Sequence, residues 1–514
     1  MRHLALWIGV FAGSLLVALV PGFGGLIPFW PVVVAFAVIL FTRQAAAGLG
    51  AGVIAGCLVL SGGSPVEAAR TALEDHVFPQ LGGSWHLSAL LFTLLLGSFA
   101  GVLEASGGFS ALLQKMLKGS QQPQRRVLGS VYGLGLLCFF DGLANSMLMG
   151  RIARQAVDRI GVSREKLAWV VDSTSSPVAC VAFVSTWIAF QLTLIGDNMP
   201  GGEAYQLFFQ SIPANPYCLL TLFLVPFAIF RNWEPTPMKN YKASAGAEQE
   251  SSPTLTEPWR VLLPLVILAS SIAVSLQVWS GNDINLFSLD AWRKAASSDG
   301  TPIALVGGAL SGLAAAWLCY PSKRRHEVGP AMLQGAAGLL PALVILILAW
   351  SLGSVFEETG AAKQIKLLLG NQIPAVWLPL AVFAVTSLTA FATGSSWGTM
   401  ALLMPLALKV LVDTEGADAA LAIAPGVIGA VFGGAVFGDH CSPFSDTTVV
   451  SALASGCKPT DHVLSQLPYA LSAATAASLA YLLMAIGLPA LVATLSAGLL
   501  LAGFVLFQSR ASSP

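Results

Sequence analysis

The sequence predicts an all-α integral membrane protein of about twelve transmembrane helices plus two re-entrant hairpins, arranged as two inverted-topology repeats. Three observations lead there. Of the 514 residues, 55% are hydrophobic and only 10% are charged, against ~25% charged in soluble domains, and the mean hydropathy is +0.74. Apolar segments of about 20 residues recur, each long enough to cross ~30 Å of hydrocarbon. Two of them are interrupted by polar residues in matching places, at Asp172 to Pro177 and at Asp439 to Pro443. The formal net charge of zero says nothing about nucleic acid, since the location of the charges matters more; the expected partner is the lipid bilayer, not nucleic acid. The seven cysteines, Cys57, Cys138, Cys180, Cys218, Cys319, Cys441 and Cys457, are scattered without a CxxC pair. They read as small buried hydrophobes, with no disulfide framework and no zinc site.

Arg2 and His3 precede apolar residues 4–20, which read as a first span because more apolar segments follow without a small-residue cleavage pattern. Further spans fall at about 25–41, 46–61 and 85–105. The stretch 127–150 carries Phe139-Phe140-Asp141-Gly142-Leu143-Ala144-Asn145-Ser146 at its centre, with basic clusters on both sides, at 115–126 and 151–166. Positive loops mark the cytoplasm, so this stretch enters and leaves on one side. Such a re-entrant hairpin is tolerated only where protein or a water-filled cavity surrounds it. A span at 167–195 is broken at Asp172-Ser173-Thr174-Ser175-Ser176-Pro177, and another reaches about Phe230. Residues 232–258 are polar and read as a cytoplasmic linker.

Spans resume at about 260–279, 303–320 and 334–356, with Lys323-Arg324-Arg325 in an inside loop. The stretch 374–411, centred on Phe391 to Thr399, reads as a second hairpin, entering from outside; Lys363 and Lys366 before it are a mild exception to the charge rule. A broken helix at 421–455 crosses back, and 464–486 and 488–508 close the membrane part with Arg510 inside. The organisation is therefore N-terminal helices 1–84, a first repeat 85–231, the linker 232–258, connecting helices 259–333, a second repeat 334–486, and a last helix and tail 487–514. The repeat shows in sequence as well. Residues 89–107 and 342–360 align without gaps, with Ala89/Ala342, Ser98/Ser351, Glu104/Glu357 and Gly107/Gly360 among the matches. The first copy runs outside to inside and the second the reverse, and matched broken helices point to a transporter's midplane site.

The densest chemistry is Gly438-Asp439-His440-Cys441-Ser442-Pro443-Phe444-Ser445-Asp446-Thr447-Thr448. A carboxylate at the bilayer centre costs ~3 kcal/mol, so two of them survive only beside a cavity or partners. Pro443 breaks the helix and frees carbonyls and N–H groups to coordinate something. Oxygen ligands of this kind suit a hard cation such as Na⁺. Sodium is assigned to Asp439, Ser442 and Asp446 with Thr447, and a related half-site to Asp141, Asn145 and Thr174 with Asp172 and Ser173. An acid that chooses between a proton and a cation couples two fluxes, because burial favours its protonated form and the cation its ionised form. Asp439 is the candidate switch, with His440 as the other proton-coupling candidate.

Together with Asp461-His462-Val463 and Gln466-Leu467-Pro468-Tyr469-Ala470, this run resembles the signature of NhaC-type Na⁺/H⁺ antiporters. Ser163-Arg164-Glu165-Lys166-Leu167-Ala168, leading into Asp172-Ser173-Thr174, resembles the same family's first-half motif, and Thr393 to Thr399 its second hairpin. The resemblance covers roughly residues 85–485. It implies membership of a wider ion-transporter superfamily with inverted repeats and two hairpins, a homodimer, an elevator motion and a bacterial inner-membrane location. No cofactor is implied beyond Na⁺ itself, with H⁺ as the counter-ion. One position departs: related sequences often carry a second acid where this chain has Gly142. Some members exchange organic acids for ions. The alternative cargo is thus a small organic ion, a carboxylate or amino acid-like molecule, held by Ser173 to Ser176 and by Thr393, Ser395 and Ser396, since helix N-termini favour anions. Against it, no Arg or Lys lies within either break to clamp a carboxylate.

Blander readings stand beside these. Asp141 and Asp172 could be structural, capping half-helices through the backbone. His440 could simply hydrogen-bond across the site, and Asp461-His462 could be a solvated or capping pair. Glu104 and Glu357 lie near span ends, where long side chains reach water. An intramembrane hydrolase using Ser442 or Ser445 with His440 is disfavoured: adjacent Asp439 and His440 point apart on a helix, and no Gly-x-Ser-x-Gly elbow accompanies them. The chain is not read as an enzyme.

Sidedness is directly testable. Both termini and the linker are expected in the cytoplasm. In a background lacking the native cysteines, Ser244→Cys should resist an impermeant maleimide in intact cells, and a cysteine at Asp197 or Asp413 should label. Labelling of the linker from outside would invert the topology.

Overall fold

The computed structural model describes residues 2–20, 28–42, 44–82, 84–117, 123–199, 201, 203–241, 256–279, 301–359, 374–443 and 445–511. Lys363, Lys366, the Glu357 side chain and linker residues 242–255 lie outside the described set. Among the described residues every regular element is helical. Eight helices are long and apolar enough to cross a membrane, or up to eleven if each bent pair is one span.

Helices α1 (Arg2–Leu19), α2 (Trp30–Thr42) and α3 (Ala45–Leu60) open the chain. After α3 the chain turns by 120° into α4 (Pro65–Gly82). Ser64 caps α4 and Pro65 occupies its first turn, where no donor is lost. The long α5 (Ser84–Ser106) is followed by the amphipathic α6 (Gly108–Leu117). Next come α7 (Pro123–Leu137) and α8 (Gly142–Arg159), which pack on each other across a short turn where the first hairpin was expected.

The span at 167–195 is broken, but not where expected. Helix α9 (Arg164–Val181) runs straight through Asp172 to Pro177, and the 42° bend falls at 182–185, before α10 (Thr186–Asn198). Pro177 does remove a donor. The hydroxyls of Thr174 and Ser175 nevertheless lie 2.6 and 3.3 Å from the carbonyls of Val170 and Asp172, within the same helix. The break comes at Ser185, whose hydroxyl donates to Ala179 O (2.7 Å) and accepts from Ile188 N (3.1 Å). One side chain thus closes one helix and caps the next.

A second bent pair, α11 (Ala204–Ser211) and α12 (Pro216–Arg231), leads to the short α13 (Thr236–Lys239). Helices α14 (Trp259–Trp279) and α15 (Thr301–Cys319) follow. The basic loop is a tight turn at Ser322–Glu327, closed by Arg324 on Glu327 at 2.6 Å. Helix is therefore regained at Val328 rather than near 334, in α16 (Val328–Gly338) and α17 (Leu340–Glu358). The second helix–turn–helix is α18 (Leu378–Thr393) and α19 (Ser396–Glu415). Gly394 turns between them at φ 68°, a left-handed conformation that glycine adopts at little cost. Here the break expected at Ser442-Pro443 is found, between α20 (Ala417–Cys441) and α21 (Asp446–Ser455). Helices α22 (Pro459–Ala485) and α23 (Ala490–Ala511) finish the chain.

Two packing groups emerge. In one, α5 packs against α15 and α16, and α14 against α15. In the other, α21 touches α8, α9 and α22, while α20 packs against α18, α19 and α22. Basic residues from separate loops are held by acceptors on neighbouring elements. Arg324 reaches Ala105 O at the end of α5 (3.2 Å), Arg125 reaches Asn232 (3.5 Å), and Lys166 pairs with Glu234. At the other end of α5, His86 pairs with Asp197 at 3.2 Å.

The α5–α16 contact is backbone on backbone, as small residues allow in membranes. A Cβ on Gly335 would lie 2.1 Å from Gly97 O. Gly335→Ala is therefore expected to destabilise the protein by about 1–3 kcal/mol, seen as a lower unfolding midpoint in detergent. Gly329→Ala on the same helix, with nothing within 4 Å, should be neutral or slightly stabilising because alanine favours helix.

Candidate ion site

Two buried carboxylates dominate the second packing group, and their surroundings differ. Asp172, midway along α9, is fully buried. Its Oδ2 accepts from Gln466 Nε2 (2.9 Å) and lies 3.2 Å from His462 Nε2 and 3.1 Å from Thr448 Oγ1. Its Oδ1 accepts from Ser451 Oγ at 3.1 Å. All four neighbours come from α21 and α22. His462 and Gln466 are four apart and so share a helix face. A carboxylate surrounded this way is a satisfied buried charge.

His440 belongs to the same network. Its Nε2 faces the main-chain carbonyl of Asp172 at 3.3 Å, and its Nδ1 lies 2.8 Å from Tyr217 OH. A carbonyl only accepts, so the network assigns the proton to Nε2 and makes Tyr217 the donor to Nδ1. His440 thereby cross-links α20, α9 and α12.

Asp439, one residue earlier, is equally buried but incompletely partnered. Its Oδ2 accepts from Thr447 Oγ1 at 3.2 Å, while Oδ1 has no partner among the described residues. The hydroxyls of Ser442 and Ser396 are likewise buried without a partner at full hydrogen-bond geometry among them, and Ser396, at the start of α19, and Ser445 both stand near the Asp439 carboxylate. Four residues beyond the break's start, Asp446 opens α21 with Oδ1 accepting from Thr447 N (2.8 Å). Asp446 is solvent-accessible, unlike Asp439. The idle oxygens of Asp439, Ser442 and Ser396 are hard ligands of the type an alkali cation takes. Among the residues proposed for sodium, Asp439 and Ser442 thus have unused ligand capacity, and Ser396 joins them from the second hairpin.

The first-half residues are used differently. Asp141 caps α8, accepting from Ala144 N (2.7 Å) with one oxygen and from Thr186 Oγ1 (2.7 Å) with the other. Thr174 is bonded back into its own helix, and Ser173 is buried in α9. Asn145 donates to Gly135 O (2.8 Å) across the α7–α8 turn, leaving Oδ1 without a partner among the described residues. At the second tip Ser395 caps α19 through Gly398 N (3.1 Å), and Thr393 meets Thr399 at 3.2 Å. At Gly142 a Cβ would sit 3.3 Å from Trp187 Nε1, a tight contact with the indole.

Sequence reasoning left Ser146, Tyr217, Thr448, Ser451 and Gln466 out of the site. Ser146 Oγ lies 2.7 Å from Ser175 Oγ and 3.0 Å from Ser451 Oγ, joining α8, α9 and α21. Arg154 donates to Leu453 O and Ala454 O, both at 2.9 Å, and Arg164 to Gly456 O at 3.2 Å. These cations meet the negative end of α21. Ser146, Thr448 and Gln466 stood only within the polar runs, and the i, i+4 spacing of His462 and Gln466 was the further signal available.

Residues 175–486, more than half of the chain, match the Na⁺/H⁺ antiporter family. The chain belongs to that family. Within curated sequences it is similar to an uncharacterised Haemophilus influenzae protein, 28% identical over 88% of this chain and 90% of that one. It also resembles an uncharacterised Na⁺/H⁺ antiporter of the same organism, 27% identical over 40% of each chain. A malate-2H⁺/Na⁺-lactate antiporter of Bacillus subtilis is 31% identical over 27% of this chain and 28% of its own. Among solved structures, the Alcanivorax borkumensis YdaH transporter superposes with a TM-score of 0.51 at 18% identity, over 80% of this chain and 89% of that one. Neisseria gonorrhoeae MtrF, from a class of antimetabolite efflux pumps, gives 0.51 at 15%, over 84% and 85%. These two share the fold. This member of the antiporter family is a multi-pass membrane protein and a secondary transporter.

The two acids should respond oppositely to mutation. Asp172→Ala strands its buried partners and is expected to cost about 3–5 kcal/mol, visible as a large drop in the unfolding midpoint in detergent. Asp439→Asn removes a half-partnered charge and should leave that midpoint near or above wild type.

Proposed function

We propose that the protein exchanges Na⁺ for H⁺ across the bacterial inner membrane, with Asp439 as the group for which the two ions compete. The observation that carries this is the idle Oδ1 of a fully buried Asp439 beside the idle hydroxyls of Ser442 and Ser396. A buried polar atom without a partner is costly, and either a proton or a desolvated cation relieves it. Asp446, exposed at the other side of the same break, is the first carboxylate a hydrated cation meets. Asp439 also ends α20, where the helix dipole favours a cation. Asp141 and Asp172 serve as cap and junction on this reading.

The basic runs at 115–126, 151–166 and 323–325 favour cytoplasmic termini and linker by the positive-inside rule. Alternating access of the elevator kind, with the α8–α9–α21–α22 group moving past α5, α15 and α16, fits the division into two packing groups.

A second reading is coupled movement of a small organic ion, which the local similarity to a malate-2H⁺/Na⁺-lactate antiporter favours. Everted vesicles separate the roles. Asp439→Asn should abolish Na⁺-dependent proton release, while Asp446→Asn should weaken apparent Na⁺ affinity by roughly tenfold, about 1.4 kcal/mol. Wild-type exchange by Asp439→Asn would sink the assignment.

A further inference from the structure

Between α5, α8, α16 and α21 lies a cavity of about 470 Å³. That is within the ~300–1,000 Å³ range of pockets for small organic ligands, and a cation needs only its shell of oxygens. Glu104 and Arg151 line it and are joined by a single ion pair of 3.3 Å between half-exposed side chains. Asp141, almost fully buried, lines it as well, together with the Gln334 amide. The remaining wall is small or apolar, with Ala100, Met147 and Leu339. Val450 adjoins the ion site, because Asp446 lies one turn earlier on the same face of α21.

We propose that this cavity binds a small zwitterion of the amino-acid type, its carboxylate on Arg151, its ammonium on Glu104 and its side chain against Met147 and Leu339. The charges select that class. Two carboxylates and one guanidinium line the cavity, so a ligand carrying only a carboxylate meets net repulsion. A ligand carrying only an ammonium leaves Arg151 without the anion it now holds. A zwitterion satisfies both walls. Arg151 presents a planar fork of five donors, and Glu104 engages it at one nitrogen. Exposed pairs of this sort are weak, so a ligand inserted between the two exchanges one long contact for two charge-assisted ones.

The location gives the ligand leverage. Glu104 belongs to α5 in one packing group, and Arg151 to α8 in the other. A molecule bridging them binds differently when the groups shift, which is the condition for coupling binding to movement. The Arg that neither break contains is thus supplied by the far end of the first hairpin. This inference goes beyond Na⁺/H⁺ exchange and does not require Asp439.

Thermal unfolding of the purified full-length protein tests it, using leucine, 4-methylpentanoate and 3-methylbutylamine, which share one side chain but differ in charge. Leucine should raise the midpoint saturably, and each of the others should need at least tenfold more ligand. Arg151→Gln and Glu104→Gln, both at partly exposed positions, should each weaken the leucine response tenfold or more, and Ala100→Trp should abolish it by filling the cavity. Asp439→Asn should keep it while losing exchange, which separates failure of this site from failure of the ion site. The proposal is overturned if leucine, methionine and alanine all leave the midpoint unchanged. It is equally overturned if 4-methylpentanoate matches leucine, or if the response survives both glutamine variants.

Discussion

A carboxylate buried between helices must be surrounded by donors, and Asp172 draws its donors from the opposite half of the chain. That requirement brings α21 and α22 against α9, since Ser451, His462 and Gln466 can reach the carboxylate only from there. It reaches further through His440, which ties the main chain of Asp172 to Tyr217 on α12. Ser146 extends the same network to α8. Arg154 and Arg164 close the far end of α21 with charge against its dipole. One buried charge thereby holds together elements almost three hundred residues apart, and removing either side leaves polar groups stranded in a medium without water.

Against that saturated junction the break at 442–445 is under-saturated, and the difference decides where an ion would go. Asp439 and Asp446 flank one break but meet opposite fields. Asp439 sits at the negative end of α20, which raises the attraction for a cation. Asp446 begins α21, whose first amides already engage it. One acid is enclosed and half-partnered, the other exposed. An enclosed acid with an idle oxygen responds strongly to whatever neutralises it, and an exposed one responds little. On the proposed reading, this is why proton and Na⁺ compete at Asp439.

The first hairpin is built for a different task. Asp141 uses both oxygens to fix the start of α8 and to hold Thr186 at the start of α10. Trp187 packs beside Gly142, so a larger residue there would press on the indole. Arg151, farther along α8, pairs with Glu104 beside the cavity proposed for a zwitterion. The two halves, similar in their order of elements, carry different chemistry.

From the amino-acid order alone come the all-helical membrane class, the two helix–turn–helix units and the break at Ser442-Pro443. Each depends on local properties: apolar length against bilayer thickness, glycine and capping residues at turns, and a proline beside a polar cluster. The break of the first repeat was misplaced for an equally local reason. Pro177 is a strong stop signal, yet the helix persists because side-chain hydroxyls and packed neighbours support it, and Ser185 ends it through a contact with Ala179. Which acid is satisfied and which is idle could not be read locally. Asp141, Asp172, Asp439 and Asp446 look alike as letters in apolar runs. They differ because Gln466, Ser451 and His462 converge on one of them, Ala144 and Thr186 on another, and no second donor reaches Asp439 Oδ1 among the described residues. Hydrogen-bond satisfaction is a property of the assembled interior, so only the tertiary structure decided it.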